Sequence, residues 1–114
     1  MEKLHLTLRI RLAKEDIFFG PGVVTLLTLT KEFESLNGAA KEMNLSYTKA
    51  YKMIKVAEKA LGFKLLDRKI GGIGGGGSSL TPECIEFLKQ YIAFDKEINS
   101  ISNELFNKYF KTYL

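Results

Sequence analysis

Six of the chain's ten glycines fall between Ile70 and Ser79, in the run Gly71-Gly72-Ile73-Gly74-Gly75-Gly76-Gly77. No helix or strand interior accommodates such a tract, because each glycine loses the most backbone freedom on ordering and offers no side chain to pack. The run must be a loop. On its near side Leu65-Leu66-Asp67-Arg68-Lys69 reads as a short strand, and after Ser78-Ser79 the pair Leu80-Thr81 returns as a second. The feature is a two-stranded hairpin with a bare tip. Bare backbone amides can approach a sugar-phosphate wall or enter a narrow groove; the competing expectation is a disordered tip in the free protein.

The segments around the hairpin read as helices, with one strand ahead of them. Residues 4–12 alternate, Leu4, Leu6, Leu8, Ile10 and Leu12 on one face and His5, Thr7, Arg9 and Arg11 on the other, which predicts a half-buried strand. Gly20-Pro21-Gly22 breaks the chain before a first helix from Val23 to about Ser35, lined inside by Val23, Leu26, Leu27, Thr30 and Phe33. Asn37 is the expected cap of a short second helix, Gly38 to about Met43, which carries the close-packing pair Ala39-Ala40. Ser46 caps a third helix from Tyr47 to about Leu61, ended by Gly62. Thr81 caps a last helix opening on Pro82 and running to about Phe110, roughly 40 Å at 1.5 Å per residue. On it Phe87, Tyr91, Phe94, Ile98, Ile101 and Leu105 recur at alternating steps of four and three, a heptad-like seam that predicts a homodimer. The fold class expected is mainly α with a small β wing. It is a winged helix-turn-helix forming one domain over 1–114, with the long C-terminal helix at about 82–110 for dimerisation.

Charge is unevenly placed along this frame. Residues 1–40 and 70–114 are close to neutral, while residues 41–69 hold eight basic side chains against three acidic ones. The whole formal excess of +4 therefore comes from the third helix and its flanks. Thr48, Lys52, Lys55 and Lys59 fall on one face of that helix, opposite Ala50, Met53, Ile54, Ala57 and Leu61. A local basic field on a helix attracts a polyanion, and a helix fits the DNA major groove. Tyr47, Thr48, Lys49 and Lys52 are the side chains expected to touch double-stranded DNA, with Lys55 nearer the backbone and Lys59 a solvated surface charge. Ser46 contributes by capping and by a phosphate contact. Tyr51 is divided evenly between contact and hinge packing. Arg68 and Lys69 lead into the wing and Ser78 and Ser79 lead out of it, all four within reach of the duplex.

Little else carries chemistry. Gly72-Ile73-Gly74-Gly75-Gly76-Gly77 matches the dinucleotide-binding spacing, but that fingerprint needs its third glycine inside the helix of a βαβ unit. Here Pro82 opens the helix only after Ser78-Ser79-Leu80-Thr81. His5 is the only histidine, so neither a metal cluster nor a histidine-based triad can be built. No enzyme and no cofactor are expected. Cys84 lies in the first turn of a helix, where a redox role is conceivable and a small buried thiol is the better reading. A lone cysteine and the lack of an apolar stretch near ~20 residues point to the cytoplasm, with no membrane partner.

These residues resemble a known family. Phe19-Gly20-Pro21-Gly22, Ala39-Ala40, Leu45-Ser46-Tyr47-Thr48-Lys49-Ala50-Tyr51, and the glycine run followed by Leu80-Thr81-Pro82 look like the N-terminal domain of ModE-type molybdate-responsive regulators. That domain is itself similar to the DNA-binding domain of LysR-type regulators, and the leading strand favours the ModE type. The resemblance covers roughly residues 4–110 and implies a winged-helix dimer joined through the last helix. Ile73 stands where the family often has arginine, Asn37-Gly38 where it has small residues, and Tyr51 where tryptophan is common. Regulators of this type carry molybdate-binding domains beyond the region matched, and no molybdate site is expected within this chain. Regulation then proceeds without molybdate or through a partner, unless the sequence is a shortened form. The alternative function is a winged-helix module that docks a protein chain and binds no DNA.

Overall fold

The computed structural model describes residues 2–69 and 77–114, apart from the side chain of Lys69. The expectations placed on Ile70 to Gly76 lie outside the described residues. In chain order the elements are β1 (Leu12–Ala13), β2 (Ile17–Phe19), α1 (Pro21–Phe33), α2 (Leu36–Glu42) and α3 (Tyr47–Leu61). They continue with β3 (Leu66–Lys69), β4 (Gly77–Leu80) and α4 (Pro82–Phe110), closed by a 3-10 turn at Lys111–Tyr113. This is a winged helix carrying a long C-terminal helix.

The leading strand is shorter than its alternation predicts. Only Leu12 and Ala13 pair, antiparallel with Phe19 and Ile17, and residues 2–11 belong to no strand. Alternation reports which side faces apolar neighbours, but a ladder also needs a partner, and β2 is three residues long. Leu6, Ile10 and Leu12 are half-buried while Leu4 and Leu8 are exposed. The Tyr91 hydroxyl donates to the Ile10 carbonyl and holds this segment against α4.

α1 buries Val23, Leu26, Leu27 and Thr30. The hydroxyls of Thr25, Thr28 and Thr30 donate to the carbonyls four residues back, at 3.0, 2.8 and 2.7 Å. For Thr30, fully buried, that bond removes the cost of an unsatisfied hydroxyl. Phe33, expected inside, is exposed, because Glu34 takes the left-handed conformation (φ 54°) and ends the helix there. α2 starts earlier than the sequence suggests. Its cap is Ser35 rather than Asn37, the Ser35 hydroxyl accepting from the Gly38 amide at 2.9 Å. Two good capping residues stand two apart, and burial of Leu36 decides between them. Ala39 and Ala40, with no accessible surface, let α2 lie close under α3.

α3 has the predicted bounds and caps. Ser46 accepts from the Lys49 amide at 3.1 Å, and Gly62 (φ 84°) closes the other end, its amide donating to the Glu58 carbonyl. Ala50, Ile54 and Ala57 join Phe19, Leu26, Leu27, Leu65, Cys84 and Tyr91 in one core. β3 and β4 pair antiparallel with Leu66 opposite Leu80 and Arg68 opposite Ser78. Thr81 then joins the wing to α4. Its hydroxyl accepts from the Cys84 amide at 3.0 Å and donates to the Lys64 carbonyl at 2.6 Å. Beyond Tyr91, α4 has no fully buried residue, and the molecule measures 60 × 33 × 22 Å.

One glycine of the run has a packing role. The Ser78 amide donates to the Glu34 carbonyl at 3.0 Å, and a Cβ on Gly77 would stand 2.6 Å from that same oxygen. The wing is thus pinned to the end of α1 where only glycine fits. Gly77→Ala is expected to destabilise the fold by about 1–3 kcal/mol, as overpacking against backbone does. Urea unfolding checks this, and an unchanged midpoint contradicts the contact.

Candidate nucleic-acid interface

α3 exposes two flanks, each bordering a groove. Toward the wing, Tyr47, Tyr51 and Lys55 face Lys64, Asp67, Arg68 and Ser78 across a groove of about 350 Å³. Tyr47 and Tyr51 stack with ring centroids 6.1 Å apart, and each is 43% exposed. Tyr51 is therefore a surface residue rather than hinge packing. The Lys55 ammonium lies 5.3 Å from the Tyr51 ring centre and 3.2 Å from a Glu58 carboxylate oxygen. The hydrogen bond to Glu58, and then that carboxylate's charge, raise the Lys55 pKa. The other Glu58 oxygen accepts from the Leu65 amide at 2.8 Å, so Glu58 is fixed between α3 and the strand that follows.

That arrangement corrects the picture of a uniform lysine row. Lys55 shares its charge with a carboxylate of its own helix, three residues on, an i,i+3 pairing that the sequence contained. Lys49 and Lys52 differ. Both are exposed, and neither makes an ion pair among the described residues. Ser46, Thr48, Lys49 and Lys52 share the second flank of α3. Of the wing residues, Arg68 is exposed and Ser78 and Ser79 are half-buried, while only the backbone of Lys69, in β3, is described.

The α4 seam divides. Phe87 and Tyr91 pack inside their own chain, with ring centroids 4.9 and 5.2 Å from Phe19, and Tyr91 is 7% exposed. Tyr91 is a core residue of its own chain, and Phe87 is half-buried against that core. Heptad spacing shows that a face is apolar without saying which neighbour covers it. Phe94, Ile101 and Leu105 are exposed and Ile98 is half-buried.

Cys84 is buried, and burial, aided by the Glu58 charge, pushes its pKa up to about 12. It carries essentially no thiolate at neutral pH, which argues against a redox role. Among the described residues no group of three or more His, Cys, Asp or Glu is placed to hold a metal ion, and no helix is long and apolar enough to cross a membrane.

Comparison with known proteins bears on the same stretch. Residues 24–84, more than half the chain, match the family described as bacterial regulatory helix-turn-helix protein, lysR family. The chain is 33% identical over 91 residues to the transcriptional regulator ModE of Haemophilus influenzae, covering 80% of this chain and 35% of that protein. It is 35% identical over 63 residues to the molybdenum transport protein ModE of Herbaspirillum seropedicae, covering 55% of this chain and 23% of that protein. The matches thus span about a third and about a quarter of these curated relatives. The family match runs from within α1 through the capped third helix and the wing to the first turn of α4. The chain belongs to the lysR family of bacterial regulatory helix-turn-helix proteins.

Proposed function

We propose that the chain acts as one domain and binds its operator as a homodimer. In this reading two copies of α3 enter successive major grooves about one helical turn, ~34 Å, apart. Lys49 and Lys52 carry the reading: two exposed ammonium groups with no partner carboxylate among the described residues, on a helix braced from behind by Ala39 and Ala40. Tyr47, Thr48 and Tyr51 reach base edges and Ser46 a phosphate, with Lys55 a weaker backbone contact because of Glu58. Arg68, Lys69, Ser78 and Ser79 bring the wing to the sugar-phosphate chain. The dimer closes over Phe94, Ile98, Ile101 and Leu105, and the exposure of Phe94, Ile101 and Leu105 on a projecting helix supports an apolar partner face. The chain works in the cytoplasm by binding alone, without cofactor or catalysis, and any molybdate signal reaches it from outside residues 1–114.

Selection of bound sequences from a random duplex pool, with sedimentation equilibrium of the free protein, tests this. A two-fold symmetric motif and a dimer mass are expected. A monomer that enriches no sequence would instead indicate a protein-docking module.

A further inference from the structure

The flank of α3 turned away from the wing borders an open cleft of about 740 Å³, closed on its other side by residues ahead of α1. Its floor is apolar, with Phe18, Val23 and Val56 among the lining. Four cations line it: Arg9 and Arg11 from the N-terminal segment, Lys49 and Lys52 from α3. Among the described residues no carboxylate does, and none of the four forms an ion pair. The groove on the wing side is different, since there Lys55, Lys64 and Arg68 are offset by Glu58 and Asp67. The unbalanced charge beside α3 lies away from the wing.

The backbone supports this placement. A Cβ on Gly20 would stand 3.2 Å from the Arg11 Cγ, so the bare glycine before α1 lets the Arg11 stem lie across it. Four like charges around one opening repel one another, and a polyanion relieves that repulsion while releasing its own counterions.

We propose that Arg9 and Arg11 form a second DNA-backbone site, gripping phosphates that flank the base pairs under α3 on the side opposite the wing. This rests on the reading of α3 as the helix in the major groove. Arginine suits the task, because its planar fork meets a phosphate through two parallel hydrogen bonds. Lys49 and Lys52, on the same opening, give the duplex a continuous cationic track from base edges to flanking phosphates. An apolar floor beneath that track accommodates the sugar carbons.

The test compares the full chain with R9A/R11A on a selected duplex, with K52A as a reference. Two lost phosphate contacts, at a salt slope of about 0.9 each, mean that raising salt from about 50 to about 200 mM weakens the parent roughly tenfold more than the variant. Trimming the flanking base pairs from the duplex should bring the parent down to the variant's affinity, and R9K/R11K should keep most of the parent's slope. If K52A weakens binding while R9A/R11A leaves affinity and slope unchanged, the second site is refuted and the recognition helix stands. If neither substitution matters, the regulator reading fails with it. A cleft that binds inorganic phosphate through Arg9 and Arg11 with no change in the DNA salt slope would be a small-anion site instead, and would overturn the proposal.

Discussion

Replacing Lys49 and Lys52 together with glutamate is expected to lower affinity for a specific duplex by about a hundredfold or more. A good side-chain contact to a base carries ~1–3 kcal/mol of discrimination, and each 1.4 kcal/mol is tenfold. Two such contacts are lost here, and two repulsive charges face the phosphates in their place. The helix itself should be unharmed. Both side chains are exposed without ion pairs among the described residues, and Glu at position 49 sits in the first turn, where the helix dipole favours an acid. Thermal unfolding should therefore move by no more than ordinary surface changes do, about 0.5 kcal/mol. Fluorescence anisotropy at fixed salt gives the answer, and binding within threefold of the parent would remove these lysines from the interface.

Phe19→Ala should produce the largest loss of stability, about 3–5 kcal/mol from lost transfer energy and the void left behind. Phe19 is 1% exposed and meets both Phe87 and Tyr91 edge-to-face. It is where the short β1–β2 hairpin, α3 and α4 share one core. A chain of this size is stable by only ~5–15 kcal/mol, so the change should bring unfolding into the low-urea range. A loss below ~1 kcal/mol would mean that α4 is held mainly by something other than this cluster.

The outcome for each element follows from how local its signal was. Ser46, Gly62, Thr81 and Pro82 fixed α3 and the start of α4, because a cap is made by residues within one turn of it. The extent of the leading strand was not legible, since Leu4 to Ile10 alternate but find no ladder partner among the described residues. The start of α2 turned on the burial of Leu36, a tertiary fact that propensity does not contain. Phe87 and Phe94 look alike in the sequence, yet one meets Phe19 and the other faces solvent. For the candidate site, Lys52 was placed by helical periodicity and Lys49 by its position in the first turn of α3. Arg9 and Arg11 did not, because their approach to α3 depends on a chain reversal ahead of α1 and on the missing side chain at Gly20.

Thr81 ties the Lys64 and Leu65 carbonyls, just ahead of β3, to the first turn of α4 through one hydroxyl and one amide. That splice has no slack. The far end of α4 is thus one end of a continuous helix of about 43 Å for its 29 residues, whose other end is bonded to the loop leaving α3. In the proposed dimer, the stalk's angle would then set how far apart the two copies of α3 stand.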